Sequence, residues 1–359
     1  MVLNSFKIKQ LFIFAIIILL LVILTILHKT KSKFKLPYPI QLFSVHHNLI
    51  PETTTMLRLS ENTNFSFEIR ENTNFFDQSK YYSMKPNKIN GINHEFLIQP
   101  RNFCEEFPYL IILVPSVHTN KIHRHTIRRT WGGENWPGVN LEKTVKLVFL
   151  FGKYKLPEME FIIKQEAEIF NDIVQGNYID SYFNLTTKIL NGLQWVSENC
   201  EGTKYVLKAD EDTFTNVPLL IEFLKQHGVA RSVIGHLYSE SHVKRVGKWA
   251  VPKSLFPPHT YPDYMAGNTY LLSGDILGKV VWTAQYVPYL NIEDVFITGV
   301  LVRILKLRHV NVDGFTMWTS AKPRICDILK KKIITGNKVT PQYAETIWQA
   351  LHTGYDYNC

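Results

Sequence analysis

The chain has 359 residues, of which 45% are hydrophobic and 20% charged, proportions that exclude disorder as the state of the whole. The length allows two domains, or one large domain with appendages. A formal net charge of +9 suits anionic partners, but Lys7, Lys9, Lys29, Lys31 and Lys33 all flank one apolar segment, so part of the excess is membrane-edge charge and nucleic acid is not the expected partner.

That segment runs from Leu11 to Leu27 with Thr25 as its one polar residue. As a helix it is about 25 Å long, enough for a thin bilayer. It exceeds the usual apolar region of a cleaved signal peptide, and no small-x-small cleavage site follows it. Residues 1–10 are therefore expected to be a short cytoplasmic tail and residues 11–27 a signal-anchor. Lys29, Lys31, Lys33 and Lys35 outnumber Lys7 and Lys9, and the positive-inside rule would keep the body cytosolic. Asn64-Phe65-Ser66 and Asn184-Leu185-Thr186 are glycosylation acceptor patterns and argue for a lumenal body.

Residues 28–103 are rich in Asn, Thr, Ser and Lys without sustained periodicity, and are expected to form a stem. The four cysteines, Cys104, Cys200, Cys326 and Cys359, lie beyond the span and are far apart, with no Cys-x-x-Cys zinc pattern. In an oxidising compartment they would make two disulfides, and in a reducing one four buried thiols.

From Tyr109 the pattern changes. Tyr109-Leu-Ile-Ile-Leu-Val114 is a continuous apolar run, as for a strand covered on both faces. His123-Arg-His-Thr-Ile-Arg-Arg129 follows and offers guanidinium groups to a phosphate, or is simply a basic surface helix. Val145-Lys-Leu-Val-Phe-Leu-Phe151 is a second strand. Pro157 with Glu158 and Glu160 opens a helix, since proline suits the first turn and carboxylates its positive end. From Thr186, Ile189, Leu193 and Val196 share a helical face. Lys204-Tyr-Val-Leu-Lys208 is a third strand. This alternation predicts an α/β sheet with ligands at the carboxyl ends of its strands.

Asp210-Glu-Asp212 stands at such an end. Hard carboxylate oxygens at i and i+2 can reach a divalent cation and a neighbouring ribose. Tyr261-Pro-Asp-Tyr264 leads to Gly267-Asn-Thr-Tyr270, where aromatic rings and a close backbone would suit a sugar, although core packing explains the tyrosines equally well. Glu293-Asp294 precedes an apolar helical run from Val295 to Leu305. A carboxylate there is a helix-end partner or a general base.

In order along the chain, Ile127-Arg-Arg-Thr-Trp-Gly132, Phe149-Leu-Phe-Gly152, Asp172-Ile-Val-Gln175, Asp180-Ser-Tyr-Phe-Asn-Leu-Thr186, Lys208-Ala-Asp-Glu-Asp212, Lys248-Trp249 with Val251, Tyr261-Pro262 with Gly267 and Tyr270, and Glu293-Asp-Val-Phe296 resemble the β1,3-galactosyltransferase family, which includes related β1,3-N-acetylglucosaminyltransferases. The likeness runs from about Cys104 to about Leu351. It implies a single catalytic α/β domain of GT-A type with a mixed central sheet over residues 104–359, held behind the transmembrane helix and stem. It implies a single-pass type II protein of the Golgi membrane, against the lysine count around the span.

The resemblance further implies transfer with inversion from a UDP-sugar donor, galactose first with N-acetylglucosamine as the alternative, to a hydroxyl of a glycolipid or glycoprotein glycan. Asp212 and Asp210 would hold Mn2+ or another divalent cation, with Asp210 also able to act at the ribose. Arg128 or Arg129 would lie near the nucleotide, with Lys208 and Gly267 in the same pocket, and Asp294 would be the base. Oligomeric state is left open. Three departures from the family pattern stand out. The middle acid, often Asp, is Glu211. Two cysteines that many members carry are replaced together by Met265 and Leu301, which leaves Cys104 with Cys200 and Cys326 with Cys359 as the implied disulfides. A histidine of many members is Asn337, which puts metal affinity in question and keeps a catalytically silent glycan-binding relative as an alternative.

Overall fold

The computed structural model describes residues 65–72, 83–92, 94–317, 319–353 and 359. The expected tail, the Leu11–Leu27 span and Asn64 lie outside the described residues. Among the described residues no helix is long and apolar enough to cross a membrane.

The strands of the main sheet, in chain order, are β1 (Phe67–Glu71), β2 (Phe96–Ile98), β3 (Leu110–Pro115), β4 (Val145–Lys153), β5 (Ile173–Ile179), β6 (Tyr205–Ala209), β7 (Ser232–Tyr238), β8 (Tyr264–Ser273) and β9 (Arg308–Val312). They pair in the order β1-β9-β7-β8-β6-β3-β4-β5-β2. The run β6-β3-β4-β5 is parallel. β8 is antiparallel to both neighbours, β9 is parallel to β7, and β1 and β2 close the two edges antiparallel. The sheet is therefore mixed.

Both faces are covered. In β3, Ile111 and Leu113 face one apolar cluster, and Leu110, Ile112 and Val114 the other; alternation between two cores is why the run is apolar without a polar beat. Helix α1 (Lys121–Arg129), α2 (Pro157–Phe170), α4 (Val217–His227) and α7 (Pro341–Thr353) belong to the second cluster. Helix α3 (Leu185–Asn199) and α5 (Leu277–Ala284) belong to the first, and short α6 (Ile325–Leu329) packs near α7. α2 opens with Pro157 in its first turn beside Glu158 and Glu160, and ends at Asn171 in the left-handed region (φ 51°).

Two edge strands come from ahead of position 104. Phe67–Glu71 registers residue by residue with Arg308–Val312, and Phe96–Ile98 with β5. Both lie before position 104, so the sheet draws two edge strands from the Asn-rich segment. Asn72 then reaches His309, its amide donating to Nδ1 at 2.9 Å and to the Leu307 carbonyl at 2.5 Å. Cys104 is bonded to Cys200 at the end of α3, and Cys326 on α6 to Cys359.

Candidate active site

β6 ends in the middle of the sheet, and its last residues build one wall of a cavity of about 470 Å³. Lys208 is the hub. Its side chain is 1% exposed, yet it carries a charge because three partners surround it. The ammonium lies 2.5 Å from Asp210 Oδ1 and 3.8 Å from Glu293 Oε2, and donates to the Gly267 carbonyl. Burial alone would lower its pKa, but the carboxylates of Asp210 and Glu293 outweigh that and push it up to about 12.

Gly267 reaches Lys208 because β8 bulges. Its pairing with β7 holds at Met265 and resumes at Tyr270, with a register shift between, which swings the intervening backbone toward β6 and the cavity. A Cβ at Gly267 would stand 2.6 Å from Asp294 Oδ2. Only glycine lets strand and carboxylate approach this closely.

Asp294 sits at the start of a π-helical stretch, Val295–Leu301, whose wider turn replaces the α-helix expected there. The stretch is tied to β8: Thr298 Oγ1 donates to the Asp294 carbonyl at 2.6 Å and accepts from the Met265 N–H at 2.8 Å. Behind it, His309 Nε2 meets the Thr298 carbonyl at 2.6 Å. Burial holds that imidazole down at about 4, so it is neutral, with Nδ1 accepting from Asn72 and Nε2–H donating to Thr298. Desolvation likewise lifts the Asp294 carboxyl to about 6 and Glu293 to about 7. A carboxylate with its pKa near the working pH and an open side on a cavity is suited to general base work. Glu293 is buried and bonded to the Tyr270 hydroxyl and serves the charge balance around Lys208.

Lys208, Asp210, Gly267 and Asp294 thus share one cavity. Asp212 lies on the adjoining turn, its pKa raised by burial and then by Asp210. Glu211 turns the opposite way, accepting from Ser116 Oγ, from the Val117 N–H at 3.4 Å and from Asn120 Nδ2 at 2.6 Å. It clamps the loop after β3 to the acidic turn. Tyr261 and Tyr264 line the cavity, whereas Tyr270 is a core residue.

Arg128 and Arg129, expected near the nucleotide, are both held by carboxylates. Arg128 is fixed by Asp172 at 2.7 Å and Glu166 at 2.7 Å, with its guanidinium 4.0 Å from the Phe170 ring. Arg129 pairs with Glu345 on α7 at 2.6 Å. Neither lines the cavity. A basic run in sequence does not reveal that buried carboxylates arriving from α2 and β5 will claim it.

Asn184 lies in the turn before α3, donating to the Ile179 carbonyl at 2.8 Å, while the Thr186 hydroxyl is buried and donates to Leu290. Glycan attachment at Asn184 would have to precede folding. Tyr182, from the Asp180–Thr186 motif but given no role there, also lines the cavity, and residues that sequence reasoning missed on its wall include Tyr238 and His242. No motif chemistry marks an isolated aromatic or imidazole, and only the fold gathers them.

A family model described as Galactosyltransferase matches residues 122–313, from α1 to just past β9. Beta-1,3-galactosyltransferase 1 of Homo sapiens is 32% identical over 283 residues, covering 77% of this chain and 84% of its own length, and the Mus musculus protein matches to the same extent. Beta-1,3-galactosyltransferase 5 of Homo sapiens is 31% identical over 286 residues, covering 77% of this chain and 91% of its own. Among solved structures, 4-diphosphocytidyl-2C-methyl-D-erythritol synthase from Anaerococcus prevotii overlaps 53% of this chain at 11% identity and a TM-score of 0.29, too slight to bear on the fold. A family match over more than half of the chain that takes in Lys208, Asp210, Gly267 and Asp294, with relatives alike over three quarters of it, makes this protein a member of the galactosyltransferase family and a hexosyltransferase.

Proposed function

We propose that this enzyme moves galactose from UDP-galactose, with inversion and in β1,3 linkage, to a hydroxyl of a glycolipid or glycoprotein glycan. The observation that carries it is Asp294, a carboxylate raised to about 6 and held against Gly267 on the cavity wall that also bears Asp210; the names of the relatives supply the sugar and linkage. Asp294 accepts the proton of the acceptor hydroxyl. The oxygen attacks the anomeric carbon from the side opposite UDP, the bond from that carbon to the diphosphate oxygen breaks, and UDP departs with the electron pair. Lys208 holds Asp210, the Gly267 carbonyl and Glu293 in place, so the wall does not have to reorganise during transfer.

Among the described residues no group of three His, Cys, Asp or Glu side chains could hold a metal ion, but two acids and one amide support a divalent cation here. Asp210 and Asp212 are hard donors that repel each other when no cation stands between them. The short strand Thr335–Gly336 pairs with Phe214–Thr215, and the Val339 N–H donates to the Asp212 carbonyl at 2.8 Å. This brings in Asn337, 4% exposed, whose Oδ1 has no hydrogen-bond partner among the described residues. An amide oxygen is a hard neutral donor, so Asp210, Asp212 and Asn337 would hold the cation. When bound, it neutralises charge on the departing diphosphate.

For location, the Leu11–Leu27 run supports a signal-anchor, and the bonded pairs Cys104–Cys200 and Cys326–Cys359 support an oxidising lumen. Together these favour a type II protein of the Golgi membrane. A panel of UDP-sugars and glycan acceptors with manganese, the product linkage read by mass spectrometry and NMR, tests the reaction. Transfer of galactose to a 3-hydroxyl is expected; a folded protein that transfers no sugar in the full panel would overturn it.

A further inference from the structure

The cavity has a second wall that the chemistry above does not use. Between β7 and β8 the chain runs through residues 239–263 with no strand or helix of its own; loops of this length in compact domains usually carry function. This one is fixed from within. The Arg245 guanidinium donates to four carbonyls, those of Val251 at 2.8 Å, Phe256 at 2.8 Å, Pro257 at 3.4 Å and Pro258 at 2.6 Å. Val251 and Phe256 are buried in the core. At the tip, Gly247 takes a φ of +85°, and Lys248 and Trp249 follow.

Trp249 meets a residue from a different part of the chain. Its Nε1–H donates to the Tyr182 hydroxyl at 2.9 Å, and Lys248 Nζ lies 4.3 Å from the centre of the Tyr182 ring. All three line the cavity that holds Asp294. The two residues are 48% (Tyr182) and 41% (Trp249) exposed. Large aromatic side chains fixed by a hydrogen bond and left half bare in a cavity form a ligand surface more readily than a core. The apolar C–H face of a pyranose is the matching shape, with Lys248 available to its hydroxyls. Asp210, which would meet the nucleotide diphosphate through the cation, belongs instead to the turn after β6.

We propose that Tyr182, Lys248 and Trp249 form an acceptor subsite that stacks the sugar next to the one receiving the transferred residue, so that the preferred acceptor is at least a disaccharide. This rests on the transferase reading above. The test uses the whole chain with UDP-galactose, manganese and a matched pair of methyl β-glycosides, one a monosaccharide and the other a disaccharide ending in the same sugar. Wild type is expected to favour the disaccharide by about tenfold in kcat/KM. Trp249→Ala should erase that preference through acceptor KM, with UDP affinity by calorimetry and thermal midpoint unchanged, and Trp249→Phe should restore most of it. A preference that survives Trp249→Ala, or a shift in UDP affinity, overturns the subsite while leaving the transferase standing. A folded wild type that transfers to neither glycoside overturns both.

Discussion

Gly267 and Asp294 are in van der Waals contact across the cavity wall, so close that a Cβ on the glycine would stand 2.6 Å from the carboxylate. Backbone on β8 cannot yield easily, because Lys208 holds the Gly267 carbonyl. Asp294 must therefore swing in Gly267→Ala. Displacement of a base by about 1 Å costs on the order of 100-fold in rate. We expect kcat to fall by about that factor with donor KM much less affected, as steady-state kinetics will show.

The pH dependence has two signs to it. With Asp294 as the proposed base, which must be ionised, kcat/KM should fall about tenfold per unit as pH drops below about 6. Stability runs the other way: a carboxyl whose folded pKa is raised above its unfolded value loses stability as pH rises between the two. At neutral pH that penalty is fully present. Asp294→Asn should abolish turnover, keep UDP binding, and raise the thermal midpoint at pH 7.

Arg128 separates structure from chemistry. Removing it leaves Asp172 and Glu166, both buried, short of a cation, and breaking a buried pair from one side costs about 3–5 kcal/mol. Arg128→Ala should lower the thermal midpoint strongly while the affinity for UDP of the folded protein, measured by calorimetry at low temperature, stays the same. A nucleotide contact would show the reverse.

Glu211 is expected to act on the loop after β3. Glu211→Ala removes the acceptor of the Ser116 hydroxyl, the Val117 N–H and the Asn120 amide, a loss of about 1–3 kcal/mol. Amide exchange over residues 116–120 should quicken more than elsewhere, and hydrogen-exchange mass spectrometry reads this directly.

Central strands were legible because burial on both faces writes itself into composition: Tyr109–Val114, Val145–Phe151 and Lys204–Lys208 fall within a residue or two of β3, β4 and β6. The proline and paired glutamates marked the start of α2 for equally local reasons. β1 and β2 were not legible. Each is short, flanked by asparagines, and stabilised by a partner far away in sequence, Val312 for Phe67 and Gly176 for Phe96, so no local pattern announces it. The same holds at the site. Asp210 and Asp294 stood out by motif, whereas the role of Glu293, the bulge at Gly267 and the capture of Arg128 by Asp172 depend on which elements the topology brings together.

The strand pairing of Phe67–Glu71 with Arg308–Val312 decides where a shortened version of this enzyme must begin. A fragment starting at Cys104 would leave one side of β9 unpaired, a ready template for aggregation, and would strip His309 of Asn72. That imidazole orients Thr298, and through it Asp294, the proposed base. Such a fragment should come out of expression largely aggregated, and one beginning ahead of Phe65 largely monodisperse, a contrast that size-exclusion chromatography can score. The segment that looks like a disposable leash is tied by hydrogen bonds to the turn that carries Asp294.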